Sequence, residues 1–200
     1  MFVAFEGIDG SGKTTVSRMV NDSLKKRGLK VWLTKEPTDD LVIPETLSAD
    51  RTFYSGVEVF FLFTADRIRH ADQIRKRLKS GSIVISDRFT LSSFAYQGSV
   101  IAERLGGLGR AVEWMTSVSA PVSLQPDLTI LLDVDPEFAM RRIADSGRKN
   151  TGFEEVSYLE RVRNAYLQID FPGKISVDGS GTPESVTGEC LSIIGKMLRP

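Results

Sequence analysis

The chain has 200 residues, 41% of them apolar and 26% charged, with 26 Lys and Arg balancing 26 Asp and Glu. This is the composition of a globular domain with a sizeable core. It excludes a disordered tail, a fibrous repeat and a disulfide-stapled minidomain, and the neutral balance gives no general attraction to nucleic acid or anionic membrane. The single cysteine, Cys190, has no internal disulfide partner and fits a reducing cytoplasm, and no segment reads as a signal peptide or membrane span.

MFVAFE (1–6) is an apolar run that meets a glycine cluster, and Thr14 to Arg27 then carries Val16, Met19, Val20 and Leu24 at helical spacing until Gly28. The order is strand, loop, helix. LKVWLT (29–34) reads as a second strand, Val57 to Leu78 as a long helix, and SIVISD (82–87) as a third strand. A helix over 91–118 leads to DLTILLDV (127–134), helices over 136–144 and 154–169, a weaker strand GKISVD (173–178), and a last helix over 183–198. Apolar strands alternating with helices predict a three-layer α/β/α sandwich on a five-stranded parallel sheet. No linker divides the chain, so residues 1–200 read as one domain, with the polar stretch DSGRKNTG (145–152) as a mobile loop.

Gly7-Ile8-Asp9-Gly10-Ser11-Gly12-Lys13-Thr14 fits the phosphate-loop pattern G-x-x-x-x-G-K-[ST] and lies between the first strand and the first helix, as that motif requires. The glycines let backbone N–H groups wrap a polyphosphate, Lys13 reaches its terminal phosphates, and Thr14 ligates Mg²⁺. Gly7 to Thr15 are therefore the expected ATP-binding residues, with Mg²⁺ as cofactor. Lys35-Glu36-Pro37 and Asp87-Arg88-Phe89 follow the second and third strands, at the sheet edge where ligands bind in such folds. Asp87 is a second candidate for the Mg²⁺ site, through a bound water, and Arg88 can fork onto a phosphate.

Six segments taken together resemble the thymidylate kinases, of the nucleoside monophosphate kinase group and P-loop NTPase type. They are FEGIDGSGKTT (5–15), KEP (35–37), FLFTADRIRH (61–70), DRFTLSSFAYQG (87–98), PDLTILLDV (126–134) and FEEVSYLERVRNAY (153–166). The resemblance implies an ATP-dependent, Mg²⁺-assisted phosphorylation of dTMP to dTDP. It further implies that Phe63 stacks on thymine, Arg67 meets its O4, and Ser93 or the neighbouring Gln97 faces N3. Tyr96 would pack where a ribose 2′-hydroxyl would project, Asp9 would hold the 3′-hydroxyl, Arg88 would bind the acceptor phosphate, and Glu36 and Pro37 would line the same site. A lid over about 141–153 carries Arg141, Arg142, Arg148 and Lys149, of which Arg142 and Arg148 are the candidate catalytic arginines beside Lys13 and Arg88. A homodimer packed through helices near 57–78 and 90–118 is implied as well.

Lys35 stands where many relatives carry arginine, and Thr38-Asp39-Asp40 replaces a glycine pair and longer insertion, so the loop over the phosphates is expected to differ. His70 reads as a helix-face group, Cys190 as a buried helix residue, and Trp32 and Trp114 as packing. Gly179-Ser180-Gly181-Thr182 lacks a lysine and reads as a turn with Thr182 or Ser180 capping the last helix, at most near adenine. Two rivals stay open from the residues alone: another acceptor, such as dUMP or a nucleoside, and a P-loop ATPase without one.

Overall fold

A continuous apolar run is what a strand covered on both faces requires, and Phe2–Glu6 (β1) is buried along its whole length. In the computed structural model, which describes residues 1–39, 53–145 and 155–198, β1 is the middle strand of a five-stranded, all-parallel sheet. The others are β2 (Val31–Lys35), β3 (Ile83–Asp87), β4 (Leu128–Asp133) and β5 (Lys174–Asp178), in spatial order β2-β3-β1-β4-β5. The two edge strands are the least buried.

The side-chain alternation of β1 divides the core. Val3 and Phe5 face α1 (Lys13–Lys26) and α7 (Pro183–Leu198), packing on Val16, Val20, Leu24, Val186, Cys190 and Ile194. Phe2 and Ala4 face the other way, toward Ile74 and Phe89. That second face is covered by α2 (Phe53–Lys79), α3 (Thr90–Leu105), α4 (Leu108–Ser119) and α6 (Val156–Gln168), with α5 (Pro136–Asp145) packed against the same cluster. The result is the expected α/β/α sandwich. Cys190 is fully buried in it, while Trp32 and Trp114 pack at its margins.

Local signals explain most element ends. Gly28 takes φ 81° beyond α1, and its N–H donates to the Lys25 carbonyl at 2.9 Å, closing the helix as expected. The single helix over 91–118 is corrected to two, α3 and α4, because Gly106 (φ 78°) and Gly107 (φ 125°) adopt left-handed conformations that a continuing helix does not allow. Thr182 is the cap of α7: its Oγ1 accepts from the Ser185 N–H at 3.3 Å. The mobile-loop reading and the lid beyond Asp145, with Arg148 and Lys149, fall outside the described residues.

Candidate active site

Parallel strands deliver their C-terminal ends to one edge of the sheet, and the phosphate loop, Lys35-Glu36-Pro37 and Asp87-Arg88-Phe89 lie at that edge. β1 opens into the phosphate loop, whose first two glycines are required by space. A Cβ on Gly7 would lie 2.5 Å from the Leu132 carbonyl oxygen, and one on Gly10 2.4 Å from that of Ala139. The Lys13 ammonium curls over the loop, donating to the Gly7 and Ile8 carbonyls at 2.9 and 2.7 Å. Burial and the nearby Arg88 guanidinium push its pKa down to about 8, while Asp9, Asp87 and Glu6 resist that shift. Thr14 Oγ1 donates to Asp87 Oδ2 at 2.6 Å, so a hydroxyl and a carboxylate meet beside the loop.

β3 ends in Asp87 and turns at Arg88, the one non-glycine among the described residues with positive φ, at 71°. The turn is held from several sides. The Arg88 N–H donates to the Phe5 carbonyl at 2.8 Å, its carbonyl accepts from Ser86 Oγ at 2.6 Å, and Glu6 Oε1 accepts from the Phe89 and Ser92 N–H groups at 2.9 and 3.2 Å. The arginine is thereby aimed at Asp9 Oδ1 (2.5 Å), Ser92 Oγ (3.1 Å) and the face of Tyr96, whose hydroxyl donates to Asp9 Oδ2 at 2.9 Å. Burial alone would raise the Asp9 pKa, but Arg88, Lys13 and the Tyr96 hydroxyl outweigh it and bring it down to about 2. Asp9 is therefore an acceptor at neutral pH.

A cleft of about 220 Å³ is lined by Asp9, Glu36, Pro37, Phe63, Arg67, Arg88, Ser93, Tyr96 and Gln97. The arrangement of its polar groups adds detail to the sequence reading. Glu36 gives one carboxylate oxygen to Arg67 Nε (2.8 Å) and the other to His70 Nδ1 (2.9 Å), and Ser93 Oγ accepts from Arg67 Nη2 at 2.9 Å. Arg67 Nη1 has no partner among the described residues. Gln97 is 6% exposed, and its Oε1 is buried without a hydrogen-bond partner among them.

A second cleft runs along Gly10 to Val16, Arg142, Ile143, Gly179, Gly181, Pro183 and Val186, and it shares Asp9 and Arg88 with the first. Arg142 reaches across it, donating to the Gly179 and Gly181 carbonyls at 2.9 and 3.2 Å, with its guanidinium 4.3 Å from the Phe138 ring centre. This brings Gly179 and Gly181 of the glycine-rich turn to the same cleft as the phosphate loop.

Sequence reasoning passed over several groups that shape the site. Glu6 is fully buried and also accepts from Ser92 Oγ and the Tyr166 hydroxyl. Asp66, 2% exposed, accepts from the Thr38 N–H at 2.7 Å and so ties the loop after Pro37 to α2. His70 is not on an open helix face but buried between α2 and β2. The usable signal for Glu6 was a carboxylate at the end of an otherwise apolar strand, where an ionisable group must be paired.

The model of the family described as thymidylate kinase matches residues 5–187, from inside β1 to inside α7. The chain belongs to the thymidylate kinase family. It is 42% identical over 199 residues to a "Probable thymidylate kinase" of Thermoplasma acidophilum, an alignment covering 100% of this chain and 98% of the relative. Proteins of the same name from Archaeoglobus fulgidus and Methanosarcina acetivorans are 37% and 35% identical, covering 99% and 92% of this chain and 96% and 90% of theirs. The thymidylate kinase match thus takes in the phosphate loop, both clefts and the arginine at their junction.

Mg²⁺ requires hard oxygen donors and keeps several waters and substrate phosphates in its shell, so one hydroxyl and one carboxylate suffice from the protein. Thr14 and Asp87, already in contact at 2.6 Å, fit that donor set. Among the described residues no group of three metal-ligating side chains offers an alternative.

Proposed function

We propose that this thymidylate kinase family member transfers the γ-phosphoryl group of ATP to dTMP, releasing dTDP and ADP. The observation that carries the reading is the junction of the two clefts at Asp9 and Arg88. A donor bound along the phosphate loop and an acceptor bound against Phe63 and Arg67 bring their phosphates to the same arginine.

The acceptor phosphate is already anionic at neutral pH, so its oxygen attacks the γ-phosphorus without a strong base as the bond to the β-bridging oxygen breaks. What the protein must supply is alignment and positive charge. Lys13 follows the β- and γ-phosphates, leaving its carbonyl partners for phosphate oxygens. Arg88 pairs with the acceptor phosphate, and Asp9 accepts from the sugar 3′-hydroxyl. Tyr96 closes the space beside C2′. Phe63 offers a ring face to thymine, Arg67 Nη1 a donor to O4, and the Gln97 amide oxygen an acceptor for N3–H. Ser93 and Glu36 act on the base by orienting Arg67, and Pro37 walls the cleft. Mg²⁺ held at Thr14, with Asp87 behind a water, would neutralise developing phosphate charge. Arg142 faces the nucleotide from α5, and Arg148, outside the described residues, is the second candidate catalytic arginine.

We also read the protein as a cytoplasmic homodimer; no helix among the described residues is long and apolar enough to cross a membrane. Tyr54, Phe61 and Ile68 recur every seven residues along α2 with 68%, 48% and 41% exposure, an apolar stripe that a second copy would cover.

A coupled assay of ADP release with ATP and Mg²⁺ tests the function. Strong turnover is expected with dTMP, weaker with dUMP, because one methyl group discriminates by about 1–3 kcal/mol. Turnover just above background is expected with dCMP, and background with ribose TMP, thymidine and no acceptor. Equal ADP release without acceptor, or preference for another monophosphate, would overturn the reading.

A further inference from the structure

The single histidine of the chain lies outside both clefts, yet its side chain is wholly buried and both ring nitrogens are engaged. Nδ1 is 2.9 Å from Glu36 Oε1 and Nε2 is 2.8 Å from Thr34 Oγ1, with the rings of Trp32 and Phe89 edge-on at 6.0 and 6.2 Å. A carboxylate accepts only, so Nδ1 carries a proton, and the Thr34 hydroxyl turns to suit Nε2. We propose that His70 is a positioning residue for base recognition: by holding one oxygen of Glu36, it fixes which Arg67 donors bind inside the protein and which face the base.

The geometry has two steps. Glu36 divides its oxygens between His70 and Arg67 Nε, so it meets the guanidinium through one bond only. Arg67 then gives Nη2 to Ser93, stacks 5.4 Å from the Phe89 ring centre, and keeps Nη1 for the cleft. Without the Nδ1 donor, Glu36 Oε1 is left buried and unpaired, and the nearest way to satisfy it is a two-bond fork with Arg67. Such a fork turns the guanidinium toward Glu36 and away from the base carbonyl. His70 therefore acts on specificity through Glu36 and Arg67 while touching neither substrate.

This inference rests on the reading that Arg67 meets thymine O4, and the test separates the two. Asn places an amide N–H where Nδ1 stands, whereas Gln reaches toward the Nε2 side and Thr34, so His70→Asn keeps the bond to Glu36 and His70→Gln loses it. Steady-state kinetics of both variants, of His70→Leu and of Arg67→Gln would be measured with dTMP, dCMP and ATP. Losing one oriented, charge-assisted bond corresponds to about tenfold. His70→Gln and His70→Leu are expected to raise KM for dTMP by about tenfold and to lower the dTMP-over-dCMP preference by a similar factor. Their kcat and KM for ATP stay near wild type, and His70→Asn recovers most of the loss. If His70→Leu does not fold, the Asn and Gln pair decides. Equal behaviour of Asn and Gln, or a parallel change in kcat and both KM values with preference unchanged, overturns the role of His70. Arg67→Gln with unaltered dTMP kinetics overturns the pocket reading itself.

Discussion

Glu6 ends the central strand as a fully buried carboxylate, ringed by the Phe89 and Ser92 amides and the Ser92 and Tyr166 hydroxyls. Burial pushes its pKa up to about 7, against the lowering pull of its hydrogen bonds and of Arg88. Its unfolded value is about 4.5, so between pH 4.5 and 7 the folded chain keeps a proton that the unfolded chain has lost. Glu6 thus favours folding most below pH 4.5, and that contribution is lost as the pH rises through 7. Glu6→Gln removes the titration, and the surrounding hydroxyls can turn to accept from its amide. Urea unfolding of wild type and variant at pH 5 and 7.5 checks this: the wild type should lose on the order of 2 kcal/mol more over that interval than Glu6→Gln. An equal pH response would assign the slope to other groups.

Residue identities alone marked the phosphate loop, since glycine and lysine at that spacing have few other uses. They did not reveal Glu6 or His70, because the need for each arises from partners far along the chain. The nearest partner of Glu6 is 83 residues away, and those of His70 are 34 and 36. Period-3.6 reasoning assigns His70 to a face of α2 but cannot show that β2 covers that face.

At the scale of elements, the stops were easier to read than the continuities. Gly28 ends α1 as expected, whereas Leu105-Gly106-Gly107-Leu108 hides its break, because apolar residues keep helical spacing across the glycine pair. The conformation there makes the break firm. Gly106 has φ 78°, and its N–H-capped end returns to the Ala102 carbonyl through Gly107 at 3.0 Å. Gly106→Ala forces a Cβ into the left-handed region and toward the Arg110 guanidinium, 3.2 Å away. Urea unfolding should show a loss of about 1–2 kcal/mol, with KM for dTMP little changed because the break lies at the far end of α3 from Arg88. A gain in stability would mean that α3 and α4 prefer to fuse.

At the scale of the molecule, the alternation of apolar strands with helices made the parallel α/β/α class legible. The strand order was not, since it depends on crossovers that leave no local trace. Of the helices expected to form a dimer, α2 carries the Tyr54, Phe61 and Ile68 stripe, with the Phe61 ring edge-on to Trp114 at 6.0 Å. Phe61→Glu places a charge in the middle of that stripe, and sedimentation equilibrium should then report a monomer where the wild type sediments as twice the chain mass. A monomeric wild type would leave the stripe without that role.

The strand order also bears on how the protein is made. β1 leaves the ribosome before the other four strands but lies between β3 and β4, so its edges find no neighbours until residues 83–87 and 128–133 have been synthesised. The phosphate loop is complete in sequence by Thr14, yet its Gly7 and Gly10 turns are shaped against the backbone of Leu132 and Ala139. A nascent chain halted before those residues carries the entire nucleotide motif without the backbone against which its two glycine turns are shaped. Under the proposed function, the loop that would hold ATP is completed late in translation, after the segments proposed to bind the acceptor have been laid down.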